Sequence, residues 1–164
     1  MNRSSTVDSE QLRQTMRAWT SGVTVVTATH AGARHGMTVS SFTSVALDPP
    51  LIIISLQVNS RTHALISQAR SFAVTVLSAD QQEISDRFAG RVADTEDRLA
   101  GLETETLVTG APCLVGGLAY LDCRVVQTIP VGSNTLFLAE VVATRSQEGP
   151  PLIYHDQLYH RLVE

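Results

Sequence analysis

Two short stretches carry the residue types that could do chemistry. The first is residues 36–45, GMTVSSFTSV, in which Thr38, Ser40, Ser41, Thr43 and Ser44 crowd hydroxyls into a strand-like segment closed by Asp48-Pro49-Pro50. The second is Asn59-Ser60-Arg61-Thr62-His63, just past the apolar run 51–56. A helix starting at Ser60 or Thr62 presents free N–H groups and the positive end of its dipole, which together attract a phosphate. Ser60 and Thr62 add hydroxyl donors, and Arg61 adds a cation able to bind two oxygens at once. The same spacing also fits a plain N-cap followed by a surface arginine. Along 38–44 the apolar residues Met37, Val39, Phe42 and Val45 do not alternate cleanly with the hydroxyls. That misfit is what a functional bend produces, whereas a simple edge strand would alternate. Hydroxyls and amides on a bent strand suit the polar edge of a flat heterocycle. The two stretches together suggest a bound phosphorylated cofactor.

Other chemistries find no support. His30, His35, His63, His155 and His160 show no metal-ligand spacing, and Cys113 and Cys123 form no CxxC pair, so no metal site is expected. Both cysteines are expected reduced and packed. There is no G-x-S-x-G, no Gly-rich dinucleotide fingerprint and no Walker A loop. A nicotinamide cofactor would therefore bind without a Rossmann unit.

The 164-residue chain is long enough for one domain with a real core, and its 43% hydrophobic and 17% charged residues are ordinary for a soluble protein. The net charge of −4 argues against nucleic acid. No apolar run reaches the roughly 18 residues of a membrane span, and the N-terminus lacks a signal-peptide core, so a cytoplasmic location is expected. All 12 basic residues are arginine, which fits a GC-rich genome better than selection for phosphate contacts, since they are scattered.

These residues must be held by regular elements. Residues 8–20 read as a helix capped by Asp8 or Ser9, with Leu12, Met16 and Trp19 on one face. Strands are expected over 22–28, 36–45, 51–56 and 72–77, with a turn at 30–35 and a bulge or bend at Ser40-Ser41. A helix follows Ser60 or Thr62 to about residue 70. Another runs from a cap at Ser78 or Asp80 through Phe88, with Glu83 placed for a capping box if Asp80 is the cap. Residues 90–105 read as an acidic mobile loop with a helical turn. Residues 118–129 and 135–145 form a long hairpin, and 152–154 and 158–162 a short pair turned at Asp156. Strands outnumber helices and the βαβ rhythm is missing. The expected class is mainly β (α+β), an antiparallel barrel with peripheral helices. Residues 1–164 read as a single domain, with 1–15 a mobile or peripheral segment.

The segments 22–28, 36–50, 59–66, 72–90, 110–114, 118–126 and 151–162 together resemble the short-chain flavin reductase family, over about residues 16–162. That resemblance implies an FMN-binding split-barrel homodimer that reduces FAD or FMN with NADH or NADPH. It also implies a partner, the monooxygenase component that receives the reduced flavin. Alternatives within the resemblance are a barrel that only holds or carries flavin, and an oxidase acting directly on an organic substrate. Carried over, Thr38, Val39, Ser40 and Ser41 meet the ring and ribityl. Ser55, Leu56, Asn59, Ser60, Arg61 and Thr62 surround the ribityl and phosphate, with Arg61 the main clamp. Phe88, Ala89, Gly90 and Arg91 close over the flavin tail. His155 and Tyr159 lie on the nicotinamide side, although this chain reads Tyr154-His155-Asp156-Gln157-Leu158-Tyr159 where relatives often have a glycine before the last aromatic. No catalytic acid or base is implied. Backbone N–H groups near Ser40 and Ser55 would receive the charge that hydride transfer leaves on the ring.

Overall fold

The computed structural model describes residues 6–91 and 97–163. In chain order its elements are α1 (Ser9–Met16), β1 (Ser21–Gly22), β2 (Thr24–His30), β3 (Ala33–Val39), β4 (Thr43–Leu47), β5 (Pro50–Gln57), α2 (Arg61–Ala69), β6 (Ser71–Val76), α3 (Gln82–Phe88), β7 (Thr104–Glu105), β8 (Cys113–Leu114), β9 (Ala119–Val131), β10 (Asn134–Ser146), β11 (Ile153–His155) and β12 (Leu158–His160).

The β-branched runs pair into one antiparallel sheet of order β3-β2-β6-β9-β10-β5-β4. Ile54, Leu56, Ile66, Phe72 and Phe137 meet in its main core with almost no exposure. Each such side chain contributes about 1.5–3 kcal/mol by leaving water. Helix α2 packs on β2 and β3, and α3 on the same pair. A second cluster gathers Leu77, Phe88, Leu99 and Leu152, with Tyr154 and Tyr159 at its margin. The chain is thus mainly antiparallel β with a few helices.

Three expectations need correction. Residues 36–45 are not one strand: β3 ends at Val39 and β4 starts at Thr43, on opposite edges of the sheet. The sequence signals a bend at Ser40-Ser41, but the chain there leaves one edge and joins the other. Only residues 40–42 span the gap, and the four steps from Val39 to Thr43 reach at most about 14 Å. The sheet must therefore curl until its two edges approach at this end. No ladder joins β3 to β4 among the described residues.

The helix expected over 8–20 stops at Met16. Asp8 caps it, its carboxylate accepting from Gln11 N–H at 2.8 Å while the Gln11 side chain accepts from Asp8 N–H at 3.0 Å. Leu12, Met16 and Trp19 do not form a buried face: α1 buries nothing, and Trp19 is 68% exposed. Periodicity defines a face but not what covers it. Residues 9–15 are peripheral, and 1–5 lie outside the described residues.

Asp80 does not cap α3, and no side chain does. Gln81 occupies that position, and its amide instead accepts from Ser78 N–H (3.0 Å) and donates to Val115 O (3.0 Å). Ser60 does cap α2, which ends at Arg70 in a left-handed conformation. The long hairpin forms as expected, with its strands running into the 130–134 turn region. The terminal pair forms around Asp156 and Gln157, both left-handed (φ +47° and +66°). Of the loop expected at 90–105, residues 92–96 lie outside the described residues. Residues 98–101 form a hydrogen-bonded turn rather than a helical one.

Candidate functional site

Strand β3 ends the sheet, so every second N–H and C=O along its outer side faces away from β2. A groove runs past that edge. Its middle is a cavity of about 180 Å³ bounded by Thr38, Val39, Ser40, Gly22, Ala89 and Tyr159, among others. Thr38 and Ala89 also border a cavity of about 370 Å³ that reaches Ser60, Arg61 and Arg98. Ser40 and Tyr154 also border an outer cavity of about 520 Å³ beside α1. A Cβ placed on Gly22 would meet nothing within 4 Å, so this wall faces open space.

At the Arg61 end the sequence builds a capped helix start of the kind that suits an anion. The Ser60 hydroxyl accepts from His63 N–H (3.2 Å) and donates to Gln57 O (2.9 Å), which starts the nine-residue α2. The first turn of a helix keeps N–H groups without intrahelical acceptors, at the positive end of the dipole. Arg61 follows the cap, and Arg98 reaches the same cavity, donating to Phe88 O (2.9 Å) and Gly36 O (3.3 Å).

The middle wall comes from α3 and the residues after it. Thr38 Oγ1 donates to Ser85 O at 2.6 Å, fastening β3 to α3. The Tyr159 hydroxyl donates to Asp86 Oδ1 (3.1 Å) and lies 2.7 Å from Ser85 Oγ. Burial raises the Tyr159 pKa above its usual value, and its bond to Asp86 adds to the rise. Gly90 is left-handed (φ +73°), turning the chain so that Arg91 swings back over the site. Arg91 donates to Asp86 Oδ1 (3.1 Å) and Tyr154 Oη (3.2 Å), and its guanidinium lies 5.9 Å and 5.7 Å from the Tyr154 and Tyr159 ring centres. The bond to Tyr154 raises the Arg91 pKa, so this cation is fixed at any working pH. Tyr154 and Tyr159 are cross-strand partners on β11 and β12.

The structure thus brings Thr38, Val39, Ser40, Ser60, Arg61, Phe88, Ala89, Arg91 and Tyr159 to one groove. Gly90 supplies the turn, and Ser41 borders the outer cavity. Others of the expected set are spoken for elsewhere. Leu56 is buried in the core. Thr62 is fully buried, its hydroxyl 2.8 Å from His35 Nδ1. Ser55 N–H donates to Ser41 Oγ (3.1 Å), so that amide is engaged, and Ser55 Oγ accepts from Asn134 Nδ2 (2.9 Å). Asn59 is exposed in the turn before α2. His155 Nδ1 lies 2.8 Å from Thr20 Oγ1, and its neighbour Tyr154 borders the cavity instead.

Ser85, Asp86, Tyr154 and Arg98 were not anticipated. The turn at Asp156 contains the signal for Tyr154, because it makes residues 154 and 159 cross-strand neighbours. Nothing local marks the others, whose partners lie as far as 74 residues away. Among the described residues no cluster of His, Cys, Asp or Glu could hold a metal ion, and no helix is long and apolar enough to cross a membrane.

Chemically, the groove offers a cationic helix start, a slot edged by backbone amides and hydroxyls, and an aromatic wall under a fixed cation. It can hold a flat polar ring by its edge and a phosphate by its tail. Residues 16–163 match the flavin reductase like domain. The FMN reductase (NADH) SmoA of Agrobacterium fabrum (strain C58) is 39% identical over 94% of this chain and 86% of its own. The reductase component of a 4-nitrophenol 4-monooxygenase/4-nitrocatechol 2-monooxygenase of Rhodococcus opacus is 37% identical over 91% of this chain and 78% of its own. Among solved structures, the flavin reductase PheA2 in its native state superposes with a TM-score of 0.89 at 34% identity, covering 96% of this chain and all of that one.

Proposed function

The chain belongs to the flavin reductase like family, and on that premise we propose that it is an NADH-dependent flavin reductase whose product serves a monooxygenase component. The observation that carries the reading is the position of β3 at the end of the sheet, among the described residues, over a groove that ends at Ser60 and Arg61. A bound flavin would supply the hydride-accepting ring for the dihydronicotinamide; the chain's own work is placement. Arg61 and the start of α2 hold the phosphate of FMN or FAD. The outer backbone edge of residues 38–40 takes the polar rim of the ring. Amides already in place there, Ser40 included, stabilise the negative charge that hydride transfer delivers, without reorganising. Ser55 N–H joins them only if Ser41 releases it. Phe88 and Ala89 border the tail, and Arg91 with Tyr154 and Tyr159 forms the wall on which the nicotinamide arrives.

The curl that brings β3 to β4 supports a split barrel, and the exposed edge of β4 with Val45 and Leu47 fits a homodimer. Residues 1–164 are read as one such domain, working in the cytoplasm. Mixing the protein with NADH and excess FMN or FAD tests the reading. Catalytic loss of nicotinamide absorbance is expected. Stoichiometric bleaching alone would make it a flavin carrier, and turnover only with an added organic substrate would make it a direct oxidase.

A further inference from the structure

Of the described residues that bound the middle cavity, Arg91 alone carries a charge. Its counter-ion stands behind it. Asp86 holds the guanidinium at 3.1 Å but does not border the cavity, and its side chain is only 28% exposed. The pair is therefore a short dipole with its positive end turned inward.

The same guanidinium occupies the aromatic wall. The Tyr154 and Tyr159 rings stand 5.5 Å apart, tilted at 59° to each other. Arg91 lies over both, 5.9 Å and 5.7 Å from their centres, within the roughly 6 Å reach of a cation–π contact. Arg91 Nη2 donates to the Tyr154 hydroxyl (3.2 Å), which keeps the cation on the wall. Ring faces that already hold one cation attract a second less.

The reaction changes charge at this place. NADH gives up a hydride, a proton with two electrons, from a neutral dihydronicotinamide ring. The flavin takes the hydride, and the nicotinamide ring is left a cation. Before transfer the guanidinium faces a neutral ring. After transfer two like charges share a cavity of about 180 Å³ and repel.

We infer that Arg91 discriminates between the two forms of the co-substrate: it tolerates the neutral ring of NADH and repels the cationic ring of NAD+, so that the product leaves. The inference rests on the flavin reductase reading. Bare tyrosine faces would attract a nicotinamide cation, and the chain covers them with a guanidinium instead. The Arg91 side chain is 47% exposed, so water and salt screen the repulsion and the effect is several-fold rather than many orders of magnitude.

NAD+ and oxidised FMN do not react, so titration calorimetry of the FMN-loaded protein with NAD+ measures binding without turnover. Arg91→Gln should tighten NAD+ binding by about fivefold, while KM for NADH stays within about twofold of the parent's. Arg91→Lys keeps the charge and should keep Kd for NAD+ near the parent's. Product inhibition by NAD+ should strengthen in Arg91→Gln by the same factor as its binding. Loss of a merely structural contact would weaken binding, so a gain in NAD+ affinity separates the two roles. Unchanged or weaker NAD+ binding in Arg91→Gln overturns the inference. Equal tightening in Arg91→Lys overturns it too, as does a matching fall in KM for NADH, which would mean that Arg91 only fills space. Failure of the parent protein to oxidise NADH with any flavin would instead remove the reductase reading, a separate outcome.

Discussion

The Ser41 hydroxyl meets both polar groups of the Ser55 backbone, donating to its carbonyl at 2.8 Å and accepting from its N–H at 3.1 Å. Strand β4 pairs with β5 only as far as Thr43 opposite Ile53. Beyond that point Ser41 supplies with one side chain what a strand would supply with its main chain. The contact fastens the 40–42 crossing to β5 and sets where the rim of the groove lies.

Ser41→Ala should therefore loosen the crossing. Both bonds sit at an exposed position where water can replace them, so the stability loss in urea should be only about 1 kcal/mol. KM for flavin should rise several-fold in the same variant. An unchanged KM would mean the crossing keeps its place without this bond.

Arg61→Ala tests the phosphate end. Loss of a charge-assisted contact should weaken FMN binding by about tenfold or more, while riboflavin, which has no phosphate, should bind as before. Titration calorimetry with the two ligands separates these outcomes. An equal loss for both would assign Arg61 a role in shaping the groove rather than in holding phosphate.

Gly36 lies beneath Phe88. A Cβ there would stand 2.9 Å from Phe88 Cε1 and 2.9 Å from Thr27 Cγ2, with both neighbours buried. Gly36→Ala should cost about 1–3 kcal/mol by overpacking. It should also push Phe88 and Ala89 outward and weaken flavin binding. Thermal unfolding and KM for flavin should worsen together.

Burial, then the negative charge of Asp122, lifts the Cys113 thiol from 9.0 to about 11; burial lifts Cys123 in the same direction. Above pH 9 the unfolded thiol loses its proton while the folded one keeps it. The unfolded state then binds fewer protons, so stability falls as pH rises from about 9 to 11. Cys113→Ala should flatten part of that decline in denaturant titrations at several pH values. In the native protein at neutral pH, neither thiol should react readily with alkylating reagents.

Much of this was legible in the chain. The start of α2 is written in Ser60, β5 in its unbroken apolar run, and the β9–β10 hairpin in its alternation, because each signal is local. The separation of β3 from β4 was not, since residues 40–42 contain no proline or glycine to mark a break. The exposure of Trp19 was hidden for a different reason: a helical spacing of apolar residues looks the same whether or not anything packs on it. The cluster of Ser85, Asp86, Arg91, Tyr154 and Tyr159 depends on β11 and β12 folding back against α3, an event no window of sequence contains.

Residues 40–42 join the first rib of the sheet to the last. Lengthening that tripeptide by one residue would leave every ladder in the sheet intact and yet let the rim gape. The aperture can thus be retuned for a bulkier or slimmer guest at three positions, with the hydrophobic interior untouched.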